Sequence, residues 1–505
     1  MKKILYIIVL VSIFSIGCTD LTEEVFDKIP TSEYPENDEQ VAGLAVDAYA
    51  QLRPLCDDEG WWFLAQETTS DELVFPTRDT DWDDGGKWRV MHQHTWGDDV
   101  EGVNNMWSKM WSGVTRCNQI IDQMRLLPSS PTILLKIDEV ETMRAFYYYL
   151  LMDNYGDIPY LTSATGVPDQ PYKIKRVAVF DSLTTDLEAN LSSLKAIDNK
   201  YMATRYMAFS LLAKIYLNAE VYTGTQQYAK ADAYIDSVLA GPYNLESSVM
   251  APFVTNNEGS SEIIFSIPYD EDDFKGFRLH MRTLHYQSNL TYDMNVGPWN
   301  GCAVVKDHLD TYEAGDARLA YFLQGPQYDS KGQPIMWEPE TGREIQLNLN
   351  PFIPLLRMTS ENTPEEIKVS GARVIKYEIK KGAKENLSND FPIFRLTDFY
   401  LMKAEVILRG AGTGDADALI NEIRNRAGVE PWAGASLDDL LAERGRELFV
   451  EGHRRQDLIR FGQFTKQWWA KGDSQGGTKN DPSVTTFPIP KWAKDANPNL
   501  DKDAE

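Results

Sequence analysis

Residues 144–160 read RAFYYYLLMDNYGDIPY, a run of large apolar and aromatic residues that ends abruptly. Phe146 and Tyr149 fall on helical spacing, which predicts a helix with one face built for burial. Gly156 can adopt the left-handed conformation that stops a helix, and Pro159 cannot continue one. An isolated helix with so much aromatic surface would be insoluble, so the stretch predicts neighbouring helices of similar design.

Further helices are predicted on both sides of this stretch. In 203–222 and 228–240, small alanines alternate with tyrosine and leucine, which is similar to the helix pairs of tetratricopeptide (TPR) repeats without a regular period. The predicted helices are 37–53, 98–127, 131–155, 177–194, 203–222, 228–240, 394–409, 416–428 and 437–464. The pattern therefore predicts a mainly α protein.

Two long segments, 54–97 and 245–390, are predicted to be irregular. The first contains Gly85-Gly86 and clusters of Asp and Thr, and the second is rich in Gly, Pro, Asn and Asp, all of which favour turns and loops. The second segment also contains two β-rich runs, 262–268 and 373–379, which predict short strands. The sequence thus combines a helical body with extensive loops.

Net charge excludes some classes of partner. The 505 residues carry 50 Lys and Arg against 76 Asp and Glu, a formal charge of −26. Nucleic-acid phosphates and anionic lipid headgroups would repel so acidic a chain, so we expect neither to bind it electrostatically.

The first residues predict export. Two lysines precede residues 4–17, an apolar run that would measure about 21 Å as a helix, short of the roughly 30 Å of a bilayer core. Residues 1–17 are therefore predicted to be a signal peptide. The sequence SIGC at 15–18 is similar to the bacterial lipobox, which predicts lipidation of Cys18. The alternative is an ordinary cleaved signal with a chance cysteine. Residues 18–36 would form an acidic tether, of a kind that directs lipoproteins to the cell surface in some bacteria.

The remaining cysteines and one histidine pair are interpreted as structural rather than functional residues. Cys56, Cys117 and Cys302 are an odd and widely spaced set, so we expect buried small residues rather than a disulfide framework. His92 and His94 could form a metal-binding pair, but the sequence offers no evident third ligand. Surface or hydrogen-bonded histidines are therefore favoured, and no metal is expected.

No catalytic signature emerges from the sequence. Residues 410–415 (GAGTGD) follow a predicted helix and lack the GK[ST] of a phosphate loop, which favours a turn between two helices. The many carboxylates single out no pair of acid and nucleophile, and there is no GxSxG nucleophile elbow. A binding protein without a cofactor is expected, with a hydrolase as the outsider.

Tryptophans in the predicted loops indicate a carbohydrate-binding surface. Sugars pack their flat C–H faces on aromatic rings, while their hydroxyls need planar donors and acceptors. The stretches 82–84 (WDD), 96–99 (WGDD) and 292–301 (YDMNVGPWNG) supply both. The alternative is that these rings pin long loops to the helical body. For a single ring the two interpretations are about equal, but for all of them together the carbohydrate surface is favoured.

Taken together, these stretches resemble the SusD/RagB family, surface lipoproteins of glycan-uptake systems in Gram-negative bacteria. Residues 144–160 resemble the family's aromatic helix ending in YGD-[IV]-P, and 443–462 resemble its ER-x-x-EL-x-x-EG-x-R-x-x-DL-x-R-x-G helix. Further matching segments, in the same chain order, are 203–222 with its partner helix, 392–405, 420–428, 487–490 and 497–500. The family's amide-rich ending is replaced by DKDAE at 501–505.

The resemblance implies a mainly α, TPR-like superhelical scaffold overlaid by irregular loops that carry the ligand site. It implies one domain at 37–505, with a helical body at about 98–244 and 391–464 and a loop-rich insertion at about 245–390. The charged residues of 443–460 are expected to form ion pairs within the scaffold, since their spacings of three and four allow pairing.

The resemblance also implies a role and partners. Such a protein is a lipid-anchored lid on the extracellular face of the outer membrane, seated on a SusC-like TonB-dependent transporter, and is not an enzyme. It captures oligo- or polysaccharide, and the acidic net charge favours a neutral glycan such as a fructan or an α-glucan. A peptide-capturing lid of the same transporter type and a structural TPR-type adaptor are the alternatives.

The family's loops diverge, so candidate ligand contacts are assigned by residue type and position. They comprise stacking rings, hydroxyl acceptors, an opposite wall and polar residues at the edge of the insertion. In that order they are Trp82, Trp88 and Trp96; Asp71 and Asp99; Trp299 with Cys302; and Arg373 with Tyr400.

Overall fold

The computed structural model describes residues 35, 37–57, 59–339, 341–472 and 481–502. The predicted signal peptide, 1–17, and the predicted lipidation site, Cys18, lie outside these residues. From Ala45 onward the described chain forms one compact unit. In the part of the chain that is described, we find no helix with both the length and the apolar character needed to cross a membrane.

Helices dominate the fold, as the sequence predicts. They are α1 Asp38–Ala50, α2 Trp62–Thr68, α3 Lys87–His92, α4 Glu101–Arg125, α5 Pro131–Tyr155, α6 Arg176–Asn190, α7 Arg205–Leu217, α8 Ala219–Thr223, α9 Tyr228–Leu239, α10 Leu279–Thr283, α11 Asn289–Tyr292, α12 Lys306–Leu309, α13 Leu396–Leu408, α14 Ala416–Ala427, α15 Leu437–Glu447, α16 Arg454–Arg460 and α17 Lys491–Ala496. The body is a succession of packed helices, with α4 on α5, α5 on α6, α7 on α9, α9 on α13 and α13 on α14.

The strands are short and pair in twos. They are β1 Leu73–Val74, β2 Thr77–Arg78, β3 Ile263–Ile267, β4 Ala303–Val304, β5 Phe322–Leu323, β6 Gly325–Pro326, β7 Met336–Trp337, β8 Ile345–Gln346, β9 Asn348–Leu349, β10 Arg357–Met358, β11 Arg373–Val374 and β12 Phe391–Arg395. β2 pairs with β10 in parallel, and the antiparallel pairs are β1–β4, β3–β12, β5–β11, β6–β9 and β7–β8. The strand predicted at 262–268 is confirmed, whereas only Arg373–Val374 of 373–379 pairs as a strand.

α5 has the ends that the sequence predicts. The Ser130 hydroxyl accepts from the Ile133 amide at 3.2 Å, and Pro131 occupies the first turn, where its missing N–H costs no hydrogen bond. Gly156 ends the helix at φ +75°, with its N–H donating to the Met152 carbonyl at 3.1 Å.

Tyrosines of α5 fasten it to four separate parts of the chain. The hydroxyl groups of Tyr147, Tyr148 and Tyr155 donate to the carbonyl oxygens of Ala48, Leu161 and Val103, at 2.7, 2.8 and 2.6 Å. Tyr149 accepts from the Gln456 side chain at 2.7 Å. All four rings are buried, and each hydroxyl has the hydrogen-bond partner that a buried phenol needs. The aromatic helix is therefore part of the scaffold.

The segment 54–97 is more ordered than its composition predicts. It contains α2 and α3, and the rings of Trp61 and Trp88 stack at 4.5 Å between centroids. Trp61, Trp62 and Trp88 are 0%, 8% and 3% exposed. Burial of these rings stabilises the two short helices. The sequence pattern does not predict them, because turn-forming residues lie on either side.

The buried cysteines and histidines match their predicted interpretations. Cys56, Cys117 and Cys302 are free and buried. The Nε2 atoms of His92 and His94 lie 2.8 Å from the carbonyl oxygens of Trp469 and Thr69, respectively, so both rings are hydrogen-bonded inside the fold.

The single helix predicted at 437–464 is instead two helices, α15 and α16. Between them, Val450 and Gly452 take φ values of +52° and +78°. A Cβ on Gly452 would lie 2.8 Å from the Trp62 ring, and its N–H donates to Glu67 Oε1 at 2.7 Å. The break turns the chain back on itself, so that Arg444 of α15 reaches Asp457 of α16 at 2.7 Å.

Buried ion pairs join these helices to the rest of the fold. Glu447 accepts from Arg426 at 2.5 Å, from Arg395 at 3.1 Å and from Arg318 at 3.2 Å, and all four side chains are at most 5% exposed. Arg318 also contacts Glu443 at 2.7 Å. The prediction that these charges serve the scaffold is confirmed, because ligand could not reach them.

We expect Gly113→Ala in α4 to be destabilising despite alanine's higher helix propensity. A Cβ at Gly113 would lie 2.5 Å from the Tyr147 ring. Overpacking costs about 1–3 kcal/mol, against about 1 kcal/mol gained from propensity. Denaturant unfolding measures the difference. Gly259→Ala is the control, since nothing lies within 4 Å of the added Cβ; equal stability of the two variants would contradict the close packing.

We expect Glu447→Gln to lower the free energy of unfolding by about 3–5 kcal/mol at pH 7, because it leaves buried arginines without their carboxylate. Burial disfavours the Glu447 charge, but Arg426, Arg395 and Arg318 outweigh it and lower its pKa from 4.5 to about 2. The carboxylate's contribution is therefore complete above pH 4.5 and is lost as the pH falls towards 2.

Denaturant unfolding at pH 7 and pH 3.5 measures this dependence. The stability gap between the wild type and the Glu447→Gln variant should shrink at the lower pH. Glu361→Gln, which changes an exposed carboxylate, should leave stability unchanged at both. A gap that stays constant with pH would rule out the proposed ion-pair contribution.

Candidate functional site

Hydrogen bonds join the segments that carry three half-buried aromatic residues in the loop-rich part of the fold. They are Trp82, Tyr286 and Trp299, which we call the aromatic platform. The Trp82 indole N–H donates to the Trp299 carbonyl at 2.8 Å, and the Tyr286 hydroxyl donates to the Asp81 carboxylate. Segments more than 200 residues apart in the sequence are thereby joined.

Close packing from behind fixes the Trp82 ring. Its centroid lies 5.1 Å from that of Phe75 and 5.6 Å from that of Trp88. A Cβ at Gly301 would approach the ring to 2.4 Å, so only glycine leaves room for it. Trp82 itself has φ +59°, a left-handed conformation that is rare for such a large residue and sets the direction of its side chain.

Cations hold the second tryptophan of the platform. The guanidinium carbons of Arg278 and Arg282 each lie 5.6 Å from the Trp299 ring centroid, within cation–π range. Both guanidinium groups also donate to Asp57, at 2.7 and 2.6 Å. The ring is therefore positioned by groups that are themselves fixed, a requirement for a stacking surface.

A cleft of about 750 Å³ adjoins the platform, within the 300–1,000 Å³ that is usual for ligand sites. Its lining contains three cations, neutral polar groups and a few apolar side chains. We call it the cationic cleft, and its residues are Arg89, Gln93, Thr95, Leu355, Leu356, Arg357, Gln467, Ala470, Lys471 and Gly472.

Hydrogen bonds link the platform to the cleft. The Arg89 guanidinium of the cleft donates to the Thr77 hydroxyl and to Asp83, the latter at 2.6 Å. Asp83 directly follows Trp82, and the Thr77 hydroxyl donates to the Trp82 carbonyl at 3.4 Å. Across the parallel β2–β10 pair, Thr77 lies opposite Arg357 of the cleft. The turn that carries Trp82 is therefore hydrogen-bonded to a residue that lines the cleft.

Lys471 contributes charge to the cleft rather than free donors. It is only 3% exposed, and its Nζ donates to the carbonyl oxygens of Phe464 and Lys466 while lying 3.5 Å from the Trp468 ring centroid. Burial lowers its pKa to about 8. The ammonium is thus mainly protonated at neutral pH but already saturated with partners.

Three of the predicted contact residues are buried beneath the platform, which corrects their assignment. Trp88 is 3% exposed and stacks on Phe75 at 4.1 Å, so it supports Trp82 instead of binding ligand. Cys302 is fully buried, and burial raises the pKa of its thiol to about 12. Arg373 is fully buried and donates to Asn300 at 2.7 Å, so it fixes the turn after Trp299.

Four other predicted residues lie apart from the platform. Trp96 is half-buried, 4.9 Å from Phe487, and the exposed Asp99 stands just before α4. Both carboxylate oxygens of Asp71 accept from Arg454, at 2.7 and 2.8 Å. Although burial opposes ionisation, Arg454 holds the pKa of Asp71 below its usual value. The fourth residue, Tyr400, packs among the helices of the body.

Only Trp82 and Trp299 of the predicted set therefore remain as candidate contacts. Sequence reasoning missed Tyr286, which lies in the same predicted insertion as Trp299 and could have been found as an aromatic among turn-forming residues. It also missed the cleft, because Arg89, Arg357 and Lys471 come together only through folding.

A second groove, of about 430 Å³, runs along α4 and is lined by Trp107, Trp111 and Trp492 among hydroxyl and amide side chains. It lies against α17, and we prefer the platform and cleft as the candidate site because they form one larger and continuous surface. Trp492 is 49% exposed and supplies a comparison residue outside that site.

Two protein-family profiles match this chain. A profile of the SusD family matches residues 261–504, and a second profile, described as starch-binding associating with outer membrane, matches residues 63–217. The chain belongs to the SusD/RagB family. The starch-binding protein SusD of Bacteroides thetaiotaomicron is 24% identical over 483 residues, covering 87% of this chain and 84% of the relative. SusD-like protein P25 of Formosa agariphila is also 24% identical, over 71% of this chain and 70% of the relative.

Solved structures of SusD-like proteins share the fold. Surface glycan-binding protein A from Bacteroides thetaiotaomicron, in complex with laminarihexaose, aligns with a TM-score of 0.71 at 22% identity, covering 91% of this chain and 97% of that one. A SusD superfamily protein from Parabacteroides distasonis aligns with a TM-score of 0.74 at 19% identity, covering 92% and 98%. The predicted mainly α, TPR-like SusD fold is confirmed.

For this SusD-family protein, we expect Gly301→Ala to disturb the platform. The added Cβ would approach the Trp82 ring to 2.4 Å and the Arg282 carbonyl to 2.8 Å. Denaturant unfolding should show a loss of about 1–3 kcal/mol. Gly297→Ala in the same loop is the control, since its nearest neighbour would be 3.9 Å away. A Gly301→Ala variant as stable as this control would contradict the packing of Trp82.

Proposed function

We propose that this SusD-family protein is a cell-surface glycan-binding lipoprotein that captures oligosaccharide and delivers it to a SusC-like TonB-dependent transporter, for which it serves as a lid. The observation that carries the proposal is the aromatic platform, with Trp82 and Trp299 held rigidly beside a ligand-sized cleft. Rigid rings suit sugar binding because stacking is strongest when the rings lose no freedom on contact.

The platform combines the two chemistries that a sugar needs. The rings of Trp82, Tyr286 and Trp299 offer apolar faces, and the carboxylates of Asp81 and Asp83 lie at their edge as hydroxyl acceptors. Taken alone, the platform suits a neutral unit such as the glucose of an α-glucan or the fructose of a fructan.

Relatives support binding rather than catalysis. Those named above are a starch-binding protein and a glycan-binding protein whose structure contains laminarihexaose. The family profile for residues 63–217 is described in terms of the outer membrane. Anchoring through lipid on Cys18, a single domain at 37–505, and docking on the transporter are parts of the same proposal.

The proposal predicts that both platform tryptophans are needed for oligosaccharide binding. We expect Trp82→Ala and Trp299→Ala each to weaken affinity for the best-bound oligosaccharide at least about tenfold, because a rigid aromatic anchor dominates such a site. Isothermal titration calorimetry against maltohexaose, laminarihexaose, fructan and uronate oligosaccharides would identify the ligand and measure the loss.

Trp492→Ala is the matched control, since it removes an exposed tryptophan outside the platform. It should leave affinity unchanged, and thermal unfolding should show that all variants are folded. Undiminished binding by both folded platform variants would reject the site. Binding of mixed oligopeptides with no binding of any oligosaccharide would instead favour a peptide-capturing lid.

A further inference from the structure

We propose that the captured glycan is acidic, and that the cationic cleft binds its carboxylate or sulfate groups while the platform stacks a neighbouring sugar unit. This inference rests on the proposed function and names the class of ligand. It replaces a neutral glycan, which the net charge of the chain predicts, with one selected by the local charge at the site.

The composition of the cleft runs against that of the whole chain. Of the ten described residues that line it, none is acidic and three are cationic, although acidic residues outnumber basic ones by 76 to 50 in the sequence. At physiological ionic strength, charges beyond about 8 Å are largely screened. A bound anion would therefore respond mainly to the cations of the cleft.

Arg357 is the cation best placed to contact a ligand. Its side chain is exposed, and its backbone is fixed by the pairing of β10 with β2. Within the described ranges, its guanidinium forms no ion pair or side-chain hydrogen bond. A guanidinium presents paired N–H donors whose geometry matches a carboxylate or a sulfate.

Arg89 and Lys471 strengthen the same field in different ways. Arg89 uses Nη1 for Thr77 and Asp83, and within the described part of the chain its Nη2 and Nε form no hydrogen bond. Those atoms remain as donors, although Asp83 offsets part of the charge. Lys471 adds its charge from a buried position, where two carbonyl oxygens occupy its ammonium.

Neutral polar groups complete the site for a saccharide. Gln467 donates to the carbonyl oxygens of Trp468 and Lys471 at 3.0 and 2.9 Å, which leaves its side-chain oxygen as an acceptor for a hydroxyl. Gln93 and Thr95 line the same cleft. Hydroxyl partners beside cations fit a sugar acid better than a simple anion.

A single hydrogen bond links the two parts of the site. Arg89, which lines the cleft, donates to Asp83, which directly follows Trp82 of the platform. A chain that places one ring on the platform can thus direct the acidic group of a neighbouring unit towards Arg357.

The decisive experiment compares ligands of equal length on the purified full-length protein. The ligands are hexagalacturonate, a sulfated galactan hexasaccharide, the neutral laminarihexaose and maltohexaose, and a Glu-rich hexapeptide, each measured by calorimetry at low and high salt. The variants are Arg357→Gln and, as a matched control, Arg343→Gln, an exposed arginine in the β7–β8 turn outside the cleft.

We expect at least one acidic saccharide to bind about tenfold more tightly than the neutral ones, with affinity that falls as salt rises. Arg357→Gln should lower that affinity roughly tenfold, the value of one charge-assisted hydrogen bond, and should reduce the salt dependence. Arg343→Gln and the neutral ligands should show no such change. The better of the two acidic saccharides distinguishes carboxylate from sulfate.

Other results would distinguish failure of the acidic-glycan inference from failure of the proposed glycan-binding function. Neutral saccharides that bind as tightly as acidic ones, with no effect of Arg357→Gln, would overturn the acidic ligand and leave glycan capture standing. Failure of every saccharide would overturn both. Equal affinity for the acidic hexapeptide would overturn the assignment to a glycan and point to peptide capture.

Discussion

The buried ion pairs centred on Glu447 hold the parts of this protein together. Glu447 lies at the end of α15, Arg426 in α14 and Arg395 in β12, while Arg318 belongs to the loop-rich segment. Removing each of these charged groups from water costs free energy, and the ion pairs offset that cost only when every partner is present. The network therefore makes the helical body and the loop-rich segment depend on one another.

The platform takes its rigidity from a separate set of buried groups. Its loops are anchored on buried groups rather than on long strands, since paired strands here have at most five residues. Trp88 beneath Trp82 and Arg373 behind Trp299 convert two of the predicted contacts into supports. A site built this way presents fixed rings to a ligand, so little conformational entropy of the rings is lost on binding.

Charge acts at two scales in this molecule. The chain as a whole is strongly acidic, yet many of its carboxylates take part in buried ion pairs. Where Arg89, Arg357 and Lys471 converge, the sign is reversed. Net charge therefore describes solubility, whereas ligand choice depends on the local field.

Sequence alone indicated the family through its motifs, and local periodicity and caps determined the helical class and the exact span of α5. The spacing of the charged residues in 443–460 indicated their structural role. It also placed Trp82 and Trp299 among the candidate contacts, as aromatics among turn-forming residues. It could not separate them from Trp88 and Trp96, since burial depends on tertiary packing, against Phe75 for Trp88 and against the distant Phe487 for Trp96. Tertiary structure alone decided which rings are exposed, where α15 and α16 separate, and which cations meet, because those outcomes depend on contacts between segments hundreds of residues apart.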